Sequence, residues 1–235
     1  QFFKSYFADW KVKEKTVIDS AETIKLLRKP GIFAVERPVT QANISLNQPF
    51  LKRPHPDYYP AALASFILGG GGFSSRLTTR IRSDEGLAYS VYSSVGNSYF
   101  DTTLTTIALQ TKAEQAPYAI RLIQEEIQKL ATEGPTEQEL LLAKKTLIES
   151  LPSLFATPED IVVNFAEDEF TGKKTDHYLE YVREIEAVTA EQIKTMIAKY
   201  FDFTKMTISI VGPSDSWKGL ENVVILPLDS LEIRP

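Results

Sequence analysis

The stretch LGGGGFSSRLTTRIRSDEGLAYSVYS, residues 68–93, holds the side chains whose types and spacing point to chemistry, above all Arg82 and Tyr89. Arginine offers a rigid fork of N–H donors and tyrosine a single directional hydroxyl, a pair suited to gripping peptide carbonyls or a developing oxyanion. The pattern predicts a short helix over 75–84 with Arg82 in its last turn, a reversal at Gly86, and Tyr89 opening the next strand. Both groups would then leave the same corner. A structural role competes with this reading, because an arginine near a helix C-terminus is favoured by the helix dipole and Tyr89 shares a strand face with Val91.

Other candidates are weaker on chemical grounds. The run Gly69-Gly70-Gly71-Gly72 invites a phosphate loop, but that motif needs a Lys-Ser/Thr pair after the glycines, and Phe73-Ser74-Ser75-Arg76 follows. A helix stop with a tight turn is expected there. His177-Tyr178-Leu179-Glu180-Tyr181 satisfies four of the five positions of the inverted zinc motif H-x-x-E-H. Tyr181 cannot replace the missing imidazole, and the other histidine, His55, stands in a Pro54-His55-Pro56 loop. No metal is expected on this chain, and His177 reads as a solvated helical residue. Gly-x-Ser-x-Gly does not occur, and the absence of cysteine removes disulfides, thiolate metal sites and a thiol nucleophile. Glu125-Glu126 and Glu167-Asp168-Glu169 read as solvent faces of helices.

The elements that must position Arg82 and Tyr89 are legible in outline. Strands are expected at Gly31–Glu36 and through TQANISLNQ, then a helix from Asp57 to Leu68 stopped by the glycines. Strands at about 88–96 and 100–110, with Gly96-Asn97 as the turn signal, form a hairpin. A helical region follows, with one stripe at Ile120, Ile123, Ile127 and Leu130, and a second face at Leu140, Ala143, Leu147 and Leu151. Capping boxes stand at Thr136/Glu139 and Thr189/Gln192, a fresh start at Thr157-Pro158, and an inward face at Ile193, Ile197 and Tyr200. Alternation returns in Met206-Ile208-Ile210 and Val223-Ile225. The implied class is α+β, a mainly antiparallel mixed sheet with helices packed on one face.

At 235 residues the chain can form one large domain, assigned to 30–235, with 1–29 read as the tail of a preceding domain and a linker. Its 26 Lys and Arg against 31 Asp and Glu, without a basic block, argue against a nucleic-acid partner. No apolar run approaches the length needed to span a bilayer, so no membrane partner is expected. Gln1-Phe2-Phe3-Lys4 has neither a starting Met nor signal-peptide character, which suggests a start inside a longer protein and leaves the compartment open.

The stretch over 68–93 resembles the pitrilysin/insulinase family of zinc metallopeptidases, which includes the mitochondrial processing peptidases. The matching residues are Leu68-Gly69-Gly70, Ser75-Arg76-Leu77, and Arg82 through Val91 in the pattern Arg-x-x-x-Gly-Leu-Ala-Tyr-x-Val. Val35-Glu36-Arg37-Pro38-Val39-Thr40-Gln41 is similar to the family's entry to its second half, and Ile208-Ser209-Ile210-Val211-Gly212 to its closing strand. The resemblance covers about residues 30–226. It implies one of two similar halves that close around an extended peptide, the first carrying H-x-x-E-H, zinc and a general base. The second half supplies an Arg and a Tyr seven positions apart, which carries over to Arg82 and Tyr89. Residues 1–10 resemble the last helix of a first half, through Tyr6-Phe7 and Trp10. The expected partner is therefore an N-terminal zinc-binding half, on the same polypeptide or on another subunit, with a homo- or heterodimer left open. A naturally inactive partner subunit is the alternative.

Overall fold

The strands are β1 (Gly31–Glu36), β2 (Gln41–Phe50), β3 (Ala88–Val95), β4 (Thr103–Lys112), β5 (Thr207–Gly212) and β6 (Val223–Ile225). The computed structural model describes residues 5, 6, 8, 9, 11, 29–174 and 176–227, apart from the Tyr89 side chain. The tail and linker expected over 1–29 lie almost wholly outside the described residues. The six strands form one sheet in the order β3-β4-β2-β5-β1-β6. β2 runs antiparallel to β4 and β5, and β3 antiparallel to β4, whereas β1 is parallel to both β5 and β6.

Alternation along the strands decides the two faces, because successive side chains point to opposite sides. Ala42, Ile44, Leu46 and Phe50 of β2 are buried, together with Ile107 and Leu109 of β4 and Ile208 and Ile210 of β5. Between them Asn43, Ser45, Asn47, Gln110 and Ser209 stay exposed or half-buried, so the opposite face is polar and open. Among the described residues the α-helices are α1 (Tyr58–Ser65), α2 (Ala116–Glu133), α3 (Glu137–Glu149), α4 (Pro158–Phe170), α5 (His177–Ala187) and α6 (Ala190–Tyr200). α6 contacts both α1 and α2. Leu63, Leu68, Ile123, Leu130, Ile193 and Ile197 are fully buried against the sheet, each removal from water contributing about 2 kcal/mol. The architecture is α+β with helices on one face.

Three details differ from the sequence reading. The helix does not stop at Leu68, because helical turns continue as a π-helical segment, Phe66–Gly70, through two of the glycines. The hairpin loop spans 96–102 instead of turning at Gly96-Asn97 alone, with the Ser98 hydroxyl accepting from the amides of Phe100 and Asp101. On α3 only Ala143 is fully buried, while Leu140 and Leu147 of the expected face pack against the core half-buried. In the sheet β5 stands between β2 and β1.

Candidate functional site

The residues around Arg82 are held by short local contacts. The Ser75 hydroxyl lies 2.7 Å from the Gly72 carbonyl and 3.0 Å from the Thr78 hydroxyl, tying the glycine turn to the next helical segment. That segment, Thr78–Asp84, is π-helical and buries Thr78 and Ile81. The Leu87 amide donates to the Ile81 carbonyl at 2.9 Å, and Gly86, at φ 63°, makes the reversal that a side-chain-bearing residue would resist. Thr111 then donates its hydroxyl to the Leu87 carbonyl at 2.6 Å, fixing the turn to β4.

Within this frame the Arg82 guanidinium stacks over the Phe73 ring, 4.6 Å from its centroid. Phe73 is 74% exposed, so a large aromatic stands in solvent beneath a cation. Arg82, Gly86 and Leu87 line a cavity of about 320 Å³ with Gln41, Gln110 and Lys112, at the end of the sheet and next to its polar face. The neighbouring arginines have structural work. Arg76 donates two hydrogen bonds to Glu139, at 2.7 and 2.8 Å, and a third to the Gly134 carbonyl; Arg80 pairs with Glu85 at 2.9 Å.

Tyr89 is the extra residue at a register break: Ala88 pairs with Thr111 and Ser90 with Gln110, leaving Tyr89 opposite neither. Such a bulge bends an edge strand and re-aims its local geometry. β3 pairs only with β4 among the described residues, so it is an edge. Arg82 and the Tyr89 backbone thus flank one turn; the Tyr89 side chain lies outside the described residues. Neither the bulge nor Phe73 was legible in the sequence. A bulge leaves no compositional mark here, and an aromatic after four glycines belongs to no periodic face.

Two readings of charged residues need correction. His177 is not a solvated helical residue: its side chain is 18% exposed, its Nδ1 lies 2.8 Å from the Lys174 carbonyl, and its ring packs tilted against Tyr178, centroids 3.8 Å apart. Asp168 does not belong to a solvent face but is buried, accepting from Lys173 Nζ and the Tyr178 hydroxyl, each at 2.9 Å. The turn at Thr171-Gly172 carries the chain back over α4 and brings those donors to it. Burial pushes the Asp168 carboxyl upward, but its bonds from Lys173 and Tyr178 outweigh that and hold it below the ordinary value. Burial together with the bond to Asp168 pushes the Tyr178 phenol up to about 12. A zinc ion does not fit: among the described residues no three His, Cys, Asp or Glu gather closely enough to hold a metal.

Residues 1–147 match the family model described as peptidase M16 inactive domain. The chain is 32% identical over 216 residues to an uncharacterized zinc protease, YmxG, of Bacillus subtilis, covering 90% of this chain and 50% of that one. It is 29% identical over 174 residues to the non-peptidase homolog YmxG of Helicobacter pylori, covering 73% of this chain and 40% of that one. The chain thus spans half or less of the length of these relatives. Among solved structures, a peptidase M16 inactive domain from Pseudomonas fluorescens superposes with a TM-score of 0.71 at 33% identity, covering 79% of this chain and 44% of that one. A protease from Helicobacter pylori shares the fold, with a TM-score of 0.79 at 18% identity over 89% of this chain and 50% of the other.

Proposed function

Because the chain belongs to the peptidase M16 inactive-domain family, we propose that it is the C-terminal, metal-free half of a zinc peptidase and closes over an extended peptide. The metal and the general base belong to an N-terminal half, on the same polypeptide or on a partner subunit. This half contributes binding and orientation. The observation that carries the reading is the placement of Arg82 on Phe73 at the turn that opens the edge strand β3. An edge strand has unpaired N–H and C=O groups on its outer side, to which an extended peptide adds by main-chain hydrogen bonds. A guanidinium at that turn, and the phenol of Tyr89, then hold the carbonyl next to the bond being cut.

Mixing the chain with a zinc-bearing first half is expected to yield zinc-dependent peptide cleavage that neither half shows alone. In the joined enzyme, Arg82→Ala and Tyr89→Phe should each lower turnover about 100-fold while the zinc content stays unchanged. Wild-type turnover in both variants would remove these residues from the site.

A second reading, a non-catalytic subunit, draws on the name of the Helicobacter pylori relative, a non-peptidase homolog. The two diverge on one observation. An intact H-x-x-E-H in the first half encoded with this chain supports the catalytic reading, and a degenerate motif supports the other.

A further inference from the structure

A second cavity, of about 600 Å³, lies between the loop after β2 and the turn joining α4 to α5, and it unites both histidines of the chain. Arg53 lines it in an unusual electrostatic setting. Its guanidinium lies 3.9 Å from the Tyr58 ring centroid, 4.8 Å from that of Tyr99 and 5.3 Å from that of Tyr59. It donates to Asn97 Oδ1 at 3.0 Å and to the Tyr59 hydroxyl at 2.9 Å, both neutral acceptors. No carboxylate among the described residues pairs with Arg53, and its Nε is buried without a partner.

A half-buried guanidinium without a counter-ion is costly, because ring faces and neutral oxygens replace lost hydration only in part. Two of the nearby acids, Asp57 and Asp168, are already committed. Asp57 accepts from Lys199 at 2.6 Å and from the Tyr200 hydroxyl at 2.8 Å, and Asp168 from Lys173 and Tyr178. Lys174 lines the same cavity and has no carboxylate partner among the described residues. His55 accepts the Asp57 amide at Nδ1, 3.1 Å away, so its Nε2 carries the ring proton and is a donor. On the α5 side, Glu180 and Glu184 also line the cavity, have no ion pair among the described residues, and repel negative charge there. An anion is therefore confined to the Arg53 and Lys174 side.

We propose that this cavity binds an oxyanion, a carboxylate or a phosphate borne by a small molecule or chain end, with Arg53 and Lys174 as counter-ions and Tyr59 and Tyr99 as the flanking wall. The site is separate from the turn carrying Arg82 and does not depend on the peptidase reading.

The test is a titration of the folded chain with inorganic phosphate and, separately, sodium acetate at constant ionic strength, followed by NMR of backbone amides and histidine rings. Saturable shifts in the millimolar range confined to residues around Arg53, His55 and His177 are expected for at least one of the two anions. Lys174→Gln should weaken binding several-fold and Arg53→Gln by about 10-fold or more, while Glu180→Gln should tighten it. Phosphate alone binding assigns a phosphate ester; acetate binding, with a short peptide binding through its free C-terminus but not as the amide, assigns a carboxylate. Lys174 is exposed, so its variant folds even if Arg53→Gln does not. Absence of saturable shifts for both anions, shifts located elsewhere, or unchanged affinity in Lys174→Gln would overturn the proposal.

Discussion

At the scale of single residues, Gly69 explains the glycine run better than any ligand does. A Cβ added there would meet the Ser93 amide nitrogen at 2.6 Å and the Ser93 Cβ at 2.7 Å. The end of the first helical segment therefore lies directly on β3, and the Ser65 and Ser93 hydroxyls meet at 2.8 Å across the contact. Gly69→Ala must push strand backbone aside, and it should cost about 2 kcal/mol, measured as a lower urea midpoint. A wild-type midpoint would mean that the two segments separate freely. Phe73 gives the opposite prediction. Being exposed, it contributes little to stability, so Phe73→Ala should leave the unfolding free energy within about 0.5 kcal/mol of wild type. On the proposed peptidase reading, loss of the ring under Arg82 should still lower the kcat/KM of the two halves joined about 10-fold. Unchanged kcat/KM would mean that the stack does not orient the guanidinium.

At the scale of elements, one carboxylate does two jobs. Glu139 closes the capping box of α3 by accepting from the Thr136 amide at 2.7 Å, and it also takes the fork of Arg76 from the segment before β3. Burial alone would raise the Glu139 carboxyl, but the bonds from Arg76 and Thr136 outweigh it and hold it below the ordinary 4.5. A carboxylate with a depressed value in the fold stabilises above its unfolded value, and that stabilisation fades as pH falls through the folded one. Glu139→Gln should thus cost about 2 kcal/mol near neutrality, and the difference from wild type should shrink below pH 4.5. Thermal unfolding of both proteins across an acid series checks this, and a constant difference would refute it. The capping boxes of α3 and α6 were readable because their signal sits within four residues. So were the buried stripe of α2 and the first two strands, whose apolar periods are intact. The Arg76 bridge to Glu139 was not, since it joins residues 63 positions apart. The same holds for the site: Arg82 and Gly86 follow from local spacing, but the bulge at Tyr89 is decided by pairing with β4.

For the whole molecule, the placement of β5 makes the chain depend on its last third. The family match over residues 1–147 contains β1 to β4 but not β5. Yet β5 stands between β2 and β1, antiparallel to one and parallel to the other, with Ile208 and Ile210 buried beneath the helices. Without it, β1 has no neighbour to join it to the sheet, and the apolar face of β2 loses its cover on one side. β6 is different in kind: it is a short edge strand whose Val224 and Ile225 are largely exposed. Two truncations separate these roles. A chain ending at Met206 should lose cooperative unfolding in urea and bind hydrophobic dyes, since its remaining strands cannot bury one continuous core. A chain ending at Asn222 keeps β5 and should unfold in a single transition at a modestly lower midpoint, because only edge pairing is lost. If the shorter chain instead kept the midpoint and slope of the full one, the strand between β2 and β1 would be dispensable, and the order of the sheet would not govern how this half folds.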